Sequence, residues 1–446
     1  MFTNVAVLLI GLIIALPIFA APGTNNNSDS HSSEYQVIAS DGTELALTRY
    51  PAKGNQLIVW IAPGYGLQTR SSKIAEQLAM EAIEVWQIDL ADALFMPHST
   101  EQMRSLTGQY VADLIEAAYQ ETGKNIFVSA RSYGAIPVLR GARVWQTREP
   151  ADNYLKGAIL FSPDLYITIP SLGLEPEYLP IASATNIPMM IIQDGIRGNR
   201  WYVNQLIMTL MKGGSQPLLK ILPGVSALFF NEDDAPQTLQ ALAKLPQDIK
   251  TSIRLLEKFP APTQPAKMTG RFVAQGSGID SRLKEFKGQF LPPPIDLRDV
   301  SGKRYHRQNY LGQVTVVNFW ATWCPPCVQE IPSLNRLRKK MKNTPFELIS
   351  INYAESPQTI RRFLKQVNVD YPVLLDHSGK ISVGWKVVAF PSTFIIGPDG
   401  KIHYGINAAI HWDAPNVIAT LKALYRNRKG PTGNSAHTNP GPRPHP

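Results

Sequence analysis

Short apolar runs that alternate with amphipathic segments are the feature that most limits the fold of this 446-residue chain. Each run is long enough for one buried strand, and buried strands separated by helices are typical of a mostly parallel sheet. We therefore predict an α/β fold, with helices on both faces of the sheet. The runs in the first half are LIVWIA (57–62), EVWQIDL (84–90), NIFVSA (125–130), GAILFS (157–162), PMMIIQ (188–193) and LLKILP (218–223).

A smaller region near the end of the chain repeats this pattern with fewer strands. Ser356 and Pro357 are typical of a helix start, and apolar residues at i, i+3, i+4 and i+7 from Ile360 form one helix face. An Asp-Gly pair between two late apolar runs predicts a β-hairpin. The strands predicted here are VTVVNF (314–319), ELISIN (347–352), TFIIG (393–397) and KIHYG (401–405).

The chain is too long for one ordinary hydrophobic core, so we expect more than one domain. The proline-rich stretch FPAPTQPAKMTG (259–270) separates the two regions. Polar segments without apolar periodicity precede the first region and end the chain. We predict a signal peptide or N-terminal anchor (1–21), a flexible spacer (22–34), an α/β domain (35–258), a linker (259–287), a second domain (288–426) and a disordered tail (427–446).

The N-terminal segment favours export. An uncharged apolar run from Val5 to Leu16 ends at Pro17, and small residues then offer a cleavage point, as in a signal peptide. No Lys or Arg precedes the run, and its length approaches the lower limit for spanning a bilayer, so an uncleaved anchor is the alternative. Both interpretations place the rest of the chain outside the cytoplasm, in the periplasm or another extracytoplasmic compartment.

The net charge of +9 does not by itself indicate nucleic-acid binding. Part of the excess lies in NRLRKKMKN (335–343) and RNRK (426–429). Basic residues at a helix end or in a tail usually form a solvated face that complements the helix dipole. We therefore expect no nucleic-acid partner.

Both cysteines of the chain lie in NFWATWCPPCVQEIP (318–332). A strand that leads into Cys-Pro-Pro-Cys places Cys324 at a helix N-terminus, where unpaired backbone N–H groups and the helix dipole stabilise a thiolate. Cys327, one turn later, is then able to resolve a mixed disulfide between Cys324 and a client protein. Pro325 and Pro326 stiffen the loop between them. The pattern favours a catalytic pair.

Two other uses of the cysteines fit the sequence less well. A zinc site needs about four ligands, and the chain has neither a further cysteine nor histidines with paired ligand spacing. A structural disulfide is the stronger alternative in an exported protein, but it closes a very small loop here and constrains the unfolded chain little. We expect no metal and no organic cofactor.

The second region resembles the thioredoxin superfamily, in particular its exported TlpA/ResA-like thiol:disulfide reductases. The resemblance rests on NFWATWCPPCVQEIP, on FPSTFIIGPDGKI (390–402) and on PPPIDLRDVSGKRYHRQNYLGQVTVVNF, and it covers about residues 288–426. It implies a thioredoxin fold in which Cys324 and Cys327 exchange disulfides, while Trp323 shapes the client surface. It further implies reduction with electrons from a membrane thiol donor, as in cytochrome c biogenesis.

The resemblance also implies roles for residues around the cysteines. It implies that Pro391 is cis and faces the cysteines, where it helps to hold a client strand. Thioredoxin has a buried Asp on the strand before the motif, whereas this chain has Asn318 there and carries Glu330, which the TlpA/ResA-like branch uses near its cysteines. Because Glu330 lies one turn after Cys327, a partly buried carboxylate at this position is able to move protons for the resolving thiol. The alternative is a glutamate on the helix surface.

A serine in the first region follows a strand in the manner of a nucleophile elbow. NIFVSARSYGA places Ser132 in a G-x-S-x-G pattern whose first glycine is replaced by Ala130. With WIAPGYG (60–66) at the position of an oxyanion loop, residues 35–258 resemble an α/β-hydrolase. The resemblance implies that an acid and a histidine follow later in the chain, because serine is a weak nucleophile without a base.

The base of such a hydrolase is absent from its usual place in the sequence. The late segment ILPGVSALFF (221–230) contains no histidine, and the histidines before residue 300 are His31, in the spacer, and His98, upstream of the serine. Asp194, in IIQDG, is the candidate acid, although the family acid normally lies further past that strand. We therefore expect a degenerate site at Ser132 and Asp194, in a domain that binds a ligand, a partner or the second domain.

The sequence thus predicts an exported thiol:disulfide oxidoreductase with two domains, which reduces disulfides in client proteins. Its expected partners are those clients and a membrane thiol electron donor. One alternative is a serine hydrolase or esterase that uses Ser132 and has an accessory thioredoxin domain. The other is a binding protein whose hydrolase-like domain recruits clients.

Overall fold

The described residues form two large sheets, each with its own hydrophobic cores. The computed structural model describes residues 32–149, 153–167, 170, 174–230, 233–262, 264–268, 283–288 and 291–426. The predicted signal or anchor, the predicted tail and most of the predicted spacer lie outside these residues. Within the described part of the chain, no helix combines the length and the apolarity needed to cross a bilayer.

The first sheet has eight strands and is mostly parallel. Its strands are β1 (Ser33–Ile38), β2 (Glu44–Tyr50), β3 (Gln56–Ile61), β4 (Ile83–Ile88), β5 (Asn125–Arg131), β6 (Leu155–Phe161), β7 (Met189–Asp194) and β8 (Pro217–Leu222). Their spatial order is β1-β2-β4-β3-β5-β6-β7-β8. β2 is antiparallel to both of its neighbours, and the pairs from β4 to β8 are parallel. The six predicted apolar runs are β3 to β8, which confirms the predicted parallel α/β sheet.

Helices cover both faces of this sheet, as predicted. Neighbouring residues of β3 point to opposite faces, so Val59 belongs to one core with Leu139 of α5, and Trp60 to the other with Ile249 of α7. The helices are α1 (Thr69–Met80), α2 (Leu90–Ala93), α3 (Thr100–Ser105), α4 (Gln109–Thr122), α5 (Ala135–Arg148), α6 (Val203–Lys212) and α7 (Pro236–Leu256). Short 3-10 helices span Ser132–Gly134, Pro180–Ser183 and Gly198–Tyr202.

The second sheet is mixed and has six strands, with a separate two-stranded ladder beside it. The strands are β9 (Lys284–Glu285), β10 (Leu297–Arg298), β11 (Arg304–Tyr305), β12 (Val314–Trp320), β13 (Phe346–Tyr353), β14 (Val373–Asp376), β15 (Ser392–Ile396) and β16 (Ile402–Ile406). The order is β14-β13-β12-β15-β16-β9, and β10 pairs with β11. The helices are α8 (Pro325–Lys340), α9 (Pro357–Leu364), α10 (Lys380–Gly384) and α11 (Pro415–Arg426).

The second sheet agrees with the strands predicted from the sequence. β12 and β13 are the predicted apolar runs, and β15 and β16 form the predicted hairpin around the Asp-Gly turn. β12 to β14 run parallel, whereas β15, β16 and β9 are antiparallel to their neighbours. Because β12 lies in the centre of the sheet, the loop that follows it is held by strands on both sides.

Short strands at the start of each region begin outside the domain bounds predicted from the sequence. β1 begins at Ser33, inside the predicted spacer, and β9 lies inside the predicted linker (259–287) and pairs with β16. Earlier in that linker, the carbonyl oxygen of Gln264 accepts a hydrogen bond from Asn186 of the first domain at 2.7 Å. A strand of two residues is too short to show a hydrophobic period. β9 forms because the edge of β16 is available for pairing, and its position could not be predicted from its own sequence.

Candidate active site

Cys324 and Cys327 lie at the start of α8, after the loop that leaves the centre of the second sheet. Cys324 is the N-cap residue, and its Sγ accepts a hydrogen bond from the backbone N–H of Cys327 at 3.3 Å. The two prolines between them occupy the first turn, where a missing N–H removes no helix bond. A disulfide joins the two cysteines. When this bond is reduced, the helix N-terminus stabilises negative charge on Cys324.

The side chains of both cysteines are covered. Cys324 is 4% exposed and Cys327 is 1% exposed, and both belong to an apolar cluster with Trp320 and Ile360. Burial among apolar groups disfavours a thiolate. The charge on Cys324 therefore depends on the backbone N–H groups of α8.

The residues predicted to frame the client surface lie beside the cysteines. The Phe390–Pro391 peptide bond is cis, the conformation that the resemblance implies. Ser392 on β15 pairs with Phe319 on β12, so Pro391 lies at the end of the sheet that leads to the cysteines. Phe390 packs on the cysteine cluster and meets Trp323 edge-on, with ring centroids 5.8 Å apart.

Glu330 is a buried residue of α8 and not part of the helix surface, since only 3% of it is exposed. Its Oε1 accepts a hydrogen bond from Asn318 Nδ2 at 2.8 Å, and its Oε2 accepts one from Trp412 Nε1 at 2.9 Å. Burial raises the pKa of Glu330 to about 7, and the hydrogen bonds from Trp412 and Asn318 oppose this rise only in part. The carboxyl group therefore changes its protonation state near neutral pH.

One of the residues that hold Glu330 cannot be recognised from a sequence motif. Trp412 lies 82 residues after it, in a loop before α11 that carries no motif. Asn318 was noted only as a replacement for an aspartate, but its side-chain amide also donates to Thr393 Oγ1 at 2.9 Å. The carboxyl group is thus positioned by a strand, by the neighbouring strand and by a distant loop.

Ser132 has the backbone geometry expected of a nucleophile elbow. It directly follows β5 and has a φ of +52°, a left-handed conformation that is uncommon for residues other than glycine. The residue is 1% exposed, and its hydroxyl group donates to Asp164 Oδ2 at 2.6 Å. Arg197 contacts the same carboxylate oxygen at 2.8 Å, and its nitrogen lies 3.3 Å from the serine Oγ.

The acid that contacts Ser132 is Asp164, whereas Asp194, the acid suggested by the sequence, has another partner. The Asp194 carboxylate forms an ion pair with Arg131 at 3.1 Å, and both side chains are buried. Burial raises the pKa of Asp194, while Arg131 acts in the opposite direction. Asp164 comes three residues after the end of β6. An acid at the end of a parallel strand is a recognisable sequence feature, but this one follows β6, whereas the candidate acid Asp194 ends β7.

No histidine contacts Ser132 among the residues that the structure describes. His98 Nε2 instead lies 3.1 Å from Asp89 Oδ2 and 3.3 Å from Asp92 Oδ1. These three residues present ligand atoms within 4.8 Å of one another, an arrangement that exposed acidic groups often adopt without a metal. His98 is thus held by carboxylates of its own loop.

Comparison with known proteins finds similarity in the second region. Residues 281–405 match the model of the AhpC/TSA family. The C-terminal domain has a thioredoxin fold. It is similar to the thiol-disulfide oxidoreductase ResA of Bacillus thuringiensis subsp. konkukian, with 34% identity over 110 residues, which cover 25% of this chain and 64% of that protein. ResA of Bacillus subtilis is also 34% identical over 110 residues, and the match covers 25% of this chain and 62% of that protein. The chain therefore spans less than two thirds of the length of these relatives.

The matches to solved structures span about a third of this chain. StoA from Bacillus subtilis is 21% identical, covers 30% of this chain and 97% of its own, and has a TM-score of 0.26. A thiol:disulfide interchange protein of the thioredoxin family from Chlorobium tepidum is 24% identical, covers 32% of this chain and 100% of its own, and has a TM-score of 0.26. The resemblance of the N-terminal domain to α/β-hydrolases stays a prediction.

Proposed function

We propose that this protein is a thiol:disulfide oxidoreductase that reduces disulfides in client proteins through Cys324 and Cys327. The position of Cys324 as the N-cap of α8, bonded to a cysteine one turn later, is the observation that carries the proposal. A helix N-terminus lowers the pKa of a thiol, and a nearby second thiol resolves the mixed disulfide. The similarity of the C-terminal domain to ResA proteins supports the same chemistry.

The reduced cysteine pair transfers two electrons to the client. The Cys324 thiolate attacks one sulfur of the client disulfide, that S–S bond breaks, and the other client sulfur leaves as a thiolate and takes up a proton. Cys327 then attacks Cys324 Sγ, the mixed disulfide breaks, and the first client sulfur leaves. The client ends with two thiols, and the protein ends with the Cys324–Cys327 disulfide that the structure contains.

Glu330 is the group that we propose to accept the proton of Cys327. It lies three residues after Cys327 on the same helix, and a pKa of about 7 lets it accept and release a proton near neutral pH. Asn318 and Trp412 each bond one of its oxygens, so they act as positioning residues. Deprotonation of Cys327 is needed only in the second step, when the mixed disulfide is resolved.

The two cysteines are expected to fail at different steps when each is replaced. Cys324→Ser loses the attacking sulfur, so reduction of insulin disulfides falls to the background rate. Cys327→Ser keeps the attack but lacks the resolving thiol, so mixed disulfides with clients accumulate and are seen on non-reducing gels. Retention of insulin reduction by Cys324→Ser contradicts the proposal.

The direction of electron flow and the donor belong to the same proposal. A membrane thiol donor restores the reduced pair, and delivery of reduced thiols for cytochrome c biogenesis is the process that the resemblance favours. We expect a reduction potential below about −200 mV in thiol redox buffers. A value near about −120 mV, as in strongly oxidising members of the fold, contradicts a reductase.

Export is proposed from the N-terminal sequence. Residues 1–21 carry the apolar run of a signal or anchor, and a disulfide-exchanging client surface suits an extracytoplasmic compartment. Cell fractionation followed by N-terminal sequencing is the check. A mature protein that starts after the run shows cleavage, a membrane-bound protein that retains Met1 shows an anchor, and a cytoplasmic protein contradicts export.

The N-terminal domain is proposed to have no hydrolase activity. An activated serine donates its hydroxyl hydrogen to a general base. In this chain the hydroxyl group of Ser132 donates to Asp164, and that carboxylate is already paired with Arg197. An ion pair therefore stands where an active serine hydrolase has its histidine base. The arrangement favours a structural or docking role.

A further inference from the structure

Aromatic residues from both domains stack beside the cysteines. Phe230, which follows β8, stacks on Trp323 with ring centroids 4.7 Å apart and ring planes 22° apart. Tyr65 of the first domain stacks on Phe230 at 5.4 Å, and Phe390 of the second domain meets Trp323. Since Trp323 immediately precedes Cys324, the first domain reaches the position next to the attacking sulfur.

The segment 195–202 between β7 and α6, which we call the capping loop, makes a second contact with the C-terminal domain. Hydrogen bonds across this contact run from Tyr353 Oη to Ile196 O (3.0 Å) and from Trp201 Nε1 to Val383 O (2.7 Å). Gly198 lies so close to Val387 that an added Cβ would overlap the carbonyl oxygen of Val387. Val387 belongs to the segment that leads to the cis proline, so the capping loop lies against the client surface proposed above.

The capping loop is held from within the first domain by the residues around Ser132. Arg197 and Asn199 of the loop contact the two oxygens of Asp164, at 2.8 and 2.9 Å. Asp164 in turn accepts the hydrogen bond of Ser132. Asp164, which bonds Ser132 at the position of a nucleophile elbow, therefore also holds the capping loop against the C-terminal domain.

These contacts lie on the face that a client has to reach. Cys324 is 4% exposed although the two prolines that follow it are exposed, and contacts from the first domain fall on Trp323 and on the segment before Pro391. A client sulfur has to come within bonding distance of Cys324 Sγ. Phe230 and the capping loop lie beside the route of that approach, on Trp323 and on Val387.

We propose that the N-terminal domain is an intramolecular cap on the cysteine face, and that clients reach Cys324 when the cap opens. This inference rests on the proposed oxidoreductase function. Contacts between domains of one chain commonly open and close, and loss of one aromatic pair changes such an equilibrium by several-fold. The cap therefore limits the reaction with large clients more than the reaction with small disulfides.

Two substitutions in the full-length protein weaken the cap in different ways. Phe230→Ala removes the ring that stacks on Trp323, and Gly198→Ala places a methyl group where the carbonyl oxygen of Val387 lies. The matched controls are Phe95→Ala, at a phenylalanine that is 98% exposed, and Gly384→Ala, where an added Cβ has nothing within 4 Å. Circular dichroism of each variant verifies folding, and Gly198→Ala decides the question if Phe230→Ala does not fold.

The measured quantity is the rate of insulin reduction divided by the rate of reduction of glutathione disulfide. We expect this ratio to rise about fivefold in Phe230→Ala, because an aromatic contact changes an equilibrium by about that factor. It should also rise severalfold in Gly198→Ala, because the overlap with the carbonyl oxygen of Val387 disfavours the closed cap. It stays at the wild-type value in both controls. An unchanged ratio in folded cap variants overturns the proposal. A fall in the ratio also overturns it, since Phe230 would then be part of the client-binding surface.

The same measurements separate failure of this inference from failure of the proposed function. If the wild-type protein reduces neither insulin nor glutathione disulfide, the oxidoreductase function is wrong and the cap proposal falls with it. If both reactions proceed at the same ratio in wild type, cap variants and controls, the oxidoreductase function stands and the cap alone is wrong.

Discussion

At the scale of single residues, Glu330 has the clearest dependence on pH. Its pKa rises from 4.5 to about 7 on folding because burial disfavours the charged form. The native state therefore binds more protons than the unfolded state between these two values. The contribution of Glu330 to the free energy of unfolding is therefore greatest below about pH 4.5. It falls by about 3 kcal/mol as the pH rises from there through about 7.

Replacing Glu330 with glutamine tests this dependence. The amide has the shape of the protonated carboxyl group and does not ionise. Its –NH2 group cannot accept the hydrogen bond that one carboxyl oxygen accepts from Asn318 or Trp412, which lowers the stability of the variant by a similar amount at every pH. Relative to wild type, the free energy of unfolding of Glu330→Gln is therefore expected to rise by about 3 kcal/mol between pH 4.5 and pH 8. Urea unfolding with the disulfide intact measures both values. The control is Glu285→Gln, at an exposed carboxylate of β9, which should keep the wild-type pH dependence.

Glu330→Gln also tests the proton-transfer role, because a purely structural role of Glu330 would not slow one step of the reaction and spare the other. Formation of the mixed disulfide by Cys324 should keep its wild-type rate, while its resolution by Cys327 should slow by on the order of 100-fold at pH 7. Rapid-quench kinetics with a labelled peptide disulfide separates the two steps. Equal slowing of both steps argues against the role of Glu330 as the base for Cys327.

At the scale of elements, α8 and α9 both begin with a side chain that accepts a hydrogen bond from its own first turn. Cys324 does so for α8, and Ser356 Oγ accepts from the backbone N–H of Thr359 at 3.2 Å in α9. Ile360 of α9 belongs to the cysteine cluster. Both helix starts could be predicted from the sequence because a cap and a first-turn proline act over only a few residues.

Loss of the cap of α9 is expected to have a modest cost. Ser356→Ala leaves the backbone N–H of Thr359 without its partner and should lower the free energy of unfolding by about 1 kcal/mol. Ser356→Asp keeps an oxygen acceptor and should stay within a few tenths of a kcal/mol of the wild type, by about the spread among good caps. Denaturant unfolding compares the three proteins. Equal stability of the alanine and aspartate variants contradicts a capping role.

At the scale of the whole molecule, we expect the cysteine site of the second domain to be catalytic and the Ser132 site of the first domain to be inactive. Ser132 has the position of a nucleophile, but its neighbours anchor the capping loop. Ser132→Ala is therefore expected to leave insulin reduction within about twofold of wild type, because the ion pair between Asp164 and Arg197 remains when one hydrogen bond is lost. Wild-type protein should hydrolyse p-nitrophenyl acetate no faster than the variant. Ester turnover that disappears in Ser132→Ala favours the hydrolase alternative.

The sequence by itself determined the features whose causes are local. These are the two α/β regions, the cysteine pair at a helix start, and a serine directly after a strand, each set by the period of the apolar residues or by neighbours in one turn. Only the tertiary structure decided which groups meet these residues. Trp412 reaches Glu330 across 82 residues, and Asp164 reaches Ser132 across 32. It also decided that Phe230 lies over Trp323. Contacts between distant segments depend on how sheets and domains pack. No local pattern in the sequence predicts which residues such packing brings together.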